Sequence, residues 1–123
     1  FGHEVKDFGS EDPIYAKVAF AIGEAVAAGK YDRGILLCGT GIGMSIAANK
    51  VPGVYAALCS DTYSAERAIK SNNANVLTLG AFTTGVEVAK QIVGVWMESE
   101  WKTGTPSEAK VSSYVEYGKK HQK

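Results

Sequence analysis

Apolar residues along this chain alternate between two spacings. Tyr15, Val18, Ala19, Ile22 and Val26 recur at helical intervals, opened by Asp12 and Pro13 and closed by Gly29, and predict an amphipathic helix. Gly34-Ile35-Leu36-Leu37-Cys38 is instead an unbroken apolar run, which predicts a strand buried on both faces in a parallel sheet. Val54 to Cys59 and Asn75 to Leu79 repeat that signal, and Val5 to Phe8 carries a weaker one. Between the strands the spacing predicts a short helix from Met44 to Lys50 and a second, capped by Ser60 and Asp61, that runs to about Lys70. Thr84 with Glu87 three residues on reads as a capping box, opening a helix whose Val88, Ala89, Ile92, Val95 and Trp96 share a face. A last helix starts at Ser107 with Val111, Tyr114 and Val115 on one side.

Strands that alternate with helices predict an α/β fold, a Rossmann-like three-layer sandwich with a parallel sheet, in one domain spanning the 123 residues. Ligands in such folds gather beyond the carboxyl ends of the strands. The functional search therefore narrows to Cys38 through Ser45, Ser60 through Ser64, and Ser71 through Asn75.

Charge and composition remove several classes. Thirteen basic side chains balance 13 acidic ones, so the basic surface that nucleic acid or an anionic membrane would require is absent. No apolar run approaches the roughly 20 residues of a membrane span. Cys38 and Cys59 both lie in apolar strand-like segments, which suits reduced thiols in a cytoplasmic protein. Glycine, at 14 of 123, exceeds the usual share of about 7% and falls in short clusters that mark backbone geometry.

The densest cluster, Gly39-Thr40-Gly41-Ile42-Gly43, leaves a strand and enters a short helix. Glycines there let successive N–H groups converge on one anion, and they equally suit a tight strand-to-helix turn. The spacing G-x-G-x-G differs from the dinucleotide fingerprint, although Asp61 stands roughly where a ribose-binding carboxylate would, and no P-loop pattern exists. Cys38 adds chemistry. A thiol at the carboxyl end of a buried strand, beside several N–H donors, is where a thiolate is favoured, whereas Cys59 reads as a small buried hydrophobe. Thr40 and Ser45 bring hydroxyls to the same loop, where either can cap the helix.

The blocks Gly34 to Lys50, Ala57-Leu58-Cys59-Ser60-Asp61-Thr62-Tyr63-Ser64-Ala65 and Asn72-Asn73-Ala74-Asn75-Val76-Leu77 closely resemble the family B ribose-5-phosphate isomerases and their sugar-phosphate isomerase relatives. The resemblance runs from about Val5 to the last helix. It implies an aldose-ketose isomerase acting through an enediolate, with Cys38 as the base, Thr40 against the substrate hydroxyls, and the N–H groups of Gly39, Gly41, Ile42 and Gly43 on the oxyanion. Ser45, Ser71, Asn72, Lys110 and Tyr15 follow as substrate contacts. No metal or nicotinamide is required. Family sites lie between subunits, which implies a homodimer or dimer of dimers in which Ser71, Asn72 and Lys110 serve the partner's Cys38 loop. A galactose-6-phosphate isomerase subunit lacks the cysteine, so its presence here favours a competent chain over the alternative, a non-catalytic phosphosugar-binding or regulatory subunit. A nucleotide-binding module is a third reading.

Three departures from the family sharpen the expectation. A histidine thought to open the furanose ring is replaced by Ser71, a poor acid-base group at neutral pH. A tetrose phosphate needs no ring opening, because its phosphorylated terminal oxygen cannot close a furanose, and Ser-Asn-Asn-Ala here is similar to the erythrulose-4-phosphate isomerases. Arginines expected after the third strand and in the last helix give way to Phe82 and to Thr105 with Lys110, leaving Lys110 as a point charge for phosphate and Arg67 as an outside candidate. Finally, the family's leading strand and helix are expected upstream of Phe1, roughly 25 to 35 residues that would cover the flanks of Ile35 to Cys38.

Overall fold

The computed structural model describes residues 3–7 and 16–121. Three parallel strands, β1 (Gly34–Cys38), β2 (Ala56–Leu58) and β3 (Val76–Gly80), form a sheet in the order β1-β3-β2. The register aligns Gly34 with Val76 and Cys38 with Gly80 on one side, and Ala56 with Val76 and Leu58 with Thr78 on the other. Helices α1 (Ala16–Ala27) and α2 (Ile42–Ala48) cover one face, α3 (Thr62–Lys70) and α4 (Val86–Glu98) cover the other, and α5 (Ser107–Lys120) follows.

Alternation along the strands sorts side chains between two cores. Leu36 and Val76 meet Ala19 and Val26 of α1 and Met44, Ala47 and Ala48 of α2. Leu77 and Leu79 meet Ala65, Ala68 and Ile69 of α3 and Ile92 and Trp96 of α4. Only β3, between two neighbours and two helical layers, is buried at all five positions. The unbroken apolar run of β1 predicts the same for that strand, and here the structure differs: Leu36 is buried, but Ile35 and Leu37 are 37% and 57% exposed. Among the described residues β1 stands at the edge of the sheet, with residues 3–7 beside Ile35 and Leu37.

Val5 to Asp7 takes no strand conformation, because nothing in the described residues pairs with it, and Phe8 lies outside those residues. Asp12, Pro13 and Tyr15, the expected start of α1 and a candidate substrate contact, also lie outside them. Asp61 caps α3 as expected, accepting from the Ser64 N–H at 2.6 Å and from its hydroxyl at 2.8 Å. The Thr84–Glu87 capping box does not form. Gly85 is the N-cap of α4 without a side-chain bond, and Glu87 instead pairs with Lys90 at 3.3 Å. Asn49 covers the outer edge of β2 like a strand of one residue, its amide bonding the Ala56 N–H at 2.8 Å and carbonyl at 3.0 Å.

Candidate active site

β1 ends at Cys38, and the chain turns through Gly39, Thr40 and Gly41 into α2. The turn requires Gly41 to adopt φ +83°, in the left-handed region. A Cβ there would approach the Leu79 carbonyl carbon to 2.9 Å and the Leu58 side chain to 2.6 Å. Gly80, at the end of β3, is equally constrained: a Cβ would lie 2.7 Å from the Thr40 carbonyl. Sequence alone makes Gly80 punctuation between elements; the structure makes it the floor of the loop. The N–H groups of Ala81 and Phe82 then pin the loop's base by donating to the carbonyls of Cys38 and Gly39 at 2.8 and 2.9 Å.

So held, the loop aims its amides at the thiol. The Gly41 N–H donates to Cys38 Sγ at 3.1 Å. Burial pushes the Cys38 pKa up, but hydrogen bonds from the N–H groups of Met44, Gly41, Thr40 and Gly43 together outweigh it and hold the thiol below its ordinary value. Of the amides expected on a substrate oxyanion, those of Gly41 and Gly43 are among the ones that favour a thiolate at Cys38. Cys59 is the opposite case, because burial, aided by the charge of Asp61, raises it to about 11. Alkylation by iodoacetamide, read thiol by thiol by mass spectrometry, is therefore expected to modify Cys38 with a midpoint below the ordinary thiol value of about 8.5, while Cys59 stays unmodified until strongly alkaline pH. Equal rates at neutral pH would show that the loop does not activate Cys38.

Thr40 Oγ1 accepts from the Ile42 N–H at 3.2 Å, so the hydroxyl both caps α2 and stays exposed at the rim of the loop. Ser45 is half-buried on the first turns of α2. Phe82, 90% exposed, lays its ring beside Gly39, where a Cβ would come within 3.0 Å of it.

Ser71 and Asn72 do not join this loop within the chain. They precede β3, whereas Cys38 is the last residue of β1, and the strands are parallel. A five-residue strand separates the two ends of the sheet by roughly 13 Å. Ser71 caps the end of α3, and its hydroxyl accepts from Arg67 Nη1 at 3.2 Å. Asn72 donates through Nδ2 to the Arg67 carbonyl at 3.1 Å, and its own carbonyl accepts the Tyr114 hydroxyl. Lys110 is exposed on α5, one turn before Tyr114. Among the described residues no cluster of three or more His, Cys, Asp or Glu could hold a metal, and no helix is long and apolar enough to cross a membrane.

A Rossmann-like parallel sheet thus carries Cys38 and a glycine loop at the carboxyl end of β1. The Ribose/Galactose Isomerase family model matches residues 1–114. The D-erythrulose-4-phosphate isomerase of Pectobacterium atrosepticum is 54% identical over 114 residues, covering 91% of this chain and 74% of that protein. The ribose-5-P isomerase B of Listeria innocua is 45% identical, covering 96% and 81%. Among solved structures, ribose-5-phosphate isomerase B of Clostridium thermocellum superposes with a TM-score of 0.91 at 42% identity, over 98% of this chain and 82% of that one. The chain belongs to the ribose/galactose isomerase family and is an isomerase.

Proposed function

We propose that this protein interconverts an aldose phosphate and a ketose phosphate, with Cys38 as the base. The observation that carries this reading is the cluster of backbone amides directed at Cys38 Sγ, which stabilises a thiolate at the carboxyl end of β1. The thiolate takes the proton from the hydroxyl-bearing carbon next to the carbonyl. That C–H electron pair becomes the carbon-carbon double bond, and the carbonyl oxygen gains the charge of an enediolate. The hydroxyl proton of the first carbon passes to the former carbonyl oxygen, and return of the carbon-bound proton from the thiol to the neighbouring carbon turns the first carbon into the new carbonyl, which completes the isomerisation and restores the thiolate. N–H groups of the Gly39 to Gly43 loop, with Thr40 at its rim, stand beside the developing oxyanion.

The opposite placement of Cys38 and Asn72 in the sheet supports a site completed by a second copy of the chain, a homodimer or dimer of dimers. Two free thiols, one of them activated, fit a reducing cytoplasmic setting. The activated thiol also weighs against a purely binding or regulatory subunit, which has no use for it.

Candidate substrates are D-erythrulose 4-phosphate and ribose 5-phosphate or ribulose 5-phosphate. Ser71 favours the tetrose. Its hydroxyl accepts from a guanidinium and titrates nowhere near neutrality, so it supplies no acid for opening a furanose. A panel of tetrose, pentose and hexose phosphates is expected to give the highest kcat/KM with D-erythrulose 4-phosphate. A clear preference for ribose 5-phosphate would overturn the tetrose assignment.

A further inference from the structure

Among the described residues of α5, Val111 alone is buried, so apolar packing by itself holds that helix loosely. Tyr114, three residues on and half-buried, makes the specific attachment. Its hydroxyl donates to the Asn72 carbonyl, 42 residues back in the chain. Its ring meets that of Tyr55, with centroids 5.7 Å apart and planes tilted by 46°, an arrangement in which aromatic pairs attract.

Tyr55 is itself clipped to the far end of the same turn. Its N–H donates to Asn75 Oδ1 at 2.8 Å, and its carbonyl accepts the Asn75 N–H at 3.0 Å. Tyr114 therefore spans the turn from Asn72 to Asn75, by a hydrogen bond at one end and through a ring at the other. Tyr55, Asn72 and Tyr114 line one cavity of 430 Å³ along β2, with Arg67 beside them.

Asn72 needs an outside hold, because a helix leaves its last carbonyls without partners of its own. Ser71 is the C-cap of α3, and Asn73 takes φ +51°, the one positive φ outside glycine among the described residues. The N–H groups of the turn go back to α3: Ser71 donates to the Arg67 carbonyl at 2.9 Å, Asn73 to Ile69 at 3.0 Å and Ala74 to Ala68 at 2.8 Å. The Asn72 carbonyl stands outside that pattern, and its partner comes from α5. Fixing this oxygen fixes the peptide from which the Asn72 side chain departs. That side chain donates through Nδ2 to the Arg67 carbonyl at 3.1 Å, which turns its amide oxygen away from α3. Burial, with Tyr55 adjacent, pushes the Tyr114 hydroxyl above its ordinary value, so the group remains a donor at neutral pH.

We propose that Tyr114 is a positioning residue for the isomerisation: its hydroxyl holds the Asn72 carbonyl, so that α5 sets how Asn72 meets the Cys38 loop of a second copy of the chain. The inference rests on the sugar-phosphate isomerase reading and on the dimer proposed above.

Tyr114→Phe tests it, since the variant keeps the ring against Tyr55 and loses only the hydroxyl. kcat/KM on the preferred sugar phosphate should fall about three- to tenfold, the worth of one hydrogen bond. Hydrogen-deuterium exchange at the Asn73 and Ala74 amides should quicken about fivefold, while the amides of β3 exchange as in the wild type. Subunit mixing adds a readout that general loosening of the fold would not move. With an equal amount of inactive Cys38→Ala, mixed dimers place the Cys38 of the Tyr114→Phe chain against an intact Tyr114 and Asn72. Activity should rise about two- to fivefold above that of the same amount of Tyr114→Phe alone. Mixing with Asn72→Ala should give no rise, because both substitutions fall in the same half of the site. A rise with Asn72→Ala, or none with Cys38→Ala, overturns the inference. Active wild-type protein whose Tyr114→Phe variant matches it in kcat/KM defeats the inference alone, whereas wild-type protein that isomerises no sugar phosphate defeats the isomerase reading and this inference with it.

Discussion

Cys38→Ala is expected to lower kcat by about a thousandfold or more, the scale on which a positioned acid-base group acts, while leaving the fold intact. The side chain is half-buried at the edge of the α1/α2 core, so losing its sulfur removes little packing. Exchange of the substrate's carbon-bound proton with deuterated solvent, followed by NMR, isolates the chemical step from product release. Exchange at the wild-type rate in the variant would remove Cys38 from the role of base. The same variant tests the composite site. Mixed with Asn72→Ala, it should regain up to about a quarter of wild-type activity, because half of the dimers formed are mixed and each carries one site with both residues intact. No recovery from that mixture would place Cys38 and Asn72 on a path that does not cross between subunits.

Gly41→Ala should damage both stability and chemistry. A left-handed φ of +83° costs a residue with a Cβ roughly 1 to 2 kcal/mol, and the collisions with Leu58 and the Leu79 backbone add a penalty of overpacking, for a total of about 2 to 4 kcal/mol. Gly29 provides the internal control. It has a similar φ of +79°, but a Cβ there meets nothing within 4 Å, so Gly29→Ala should show only the backbone part of the cost. Urea unfolding measures the two. Gly41→Ala should also move the pH midpoint of Cys38 alkylation upward, since the Gly41 N–H is one of the bonds that lower it. Equal destabilisation by the two substitutions would mean that the loop yields freely around an added methyl.

The alternation of apolar runs and helical spacings made the sheet and its helices legible, because parallel strands between helical layers leave a periodicity that few other arrangements share. β3 conforms fully, buried along its whole length. β1 carries the same apolar signature, but among the described residues it stands at the sheet edge, and Ile35 and Leu37 are partly exposed. Composition reports what a strand can bury, and only its neighbours decide what it does bury. Helix starts divide in the same way. Asp61 caps α3 through bonds within four residues, whereas the Thr84–Glu87 pattern yields to a loop whose path is set by Ala81 and Phe82, which donate back to the Cys38 and Gly39 carbonyls, and by the Gly80 carbonyl, which accepts the Thr84 N–H.

The candidate site is split along similar lines. Cys38 and its glycine loop are contiguous, so their placement follows from local order, and the sequence by itself determined the family pattern, the thiol at the entrance of the loop and the glycine that takes φ above zero beside it. It also placed Ser71 and Asn72 among the residues of interest. The tertiary structure decided the rest. It turned the loop amides onto the sulfur, made Gly80 part of the loop's floor, set Asn72 at the opposite end of the sheet from Cys38, and brought Arg67 against Ser71 beside a cavity. Those outcomes depend on strand order and on which helix faces meet, long-range contacts that spacing along one chain does not encode.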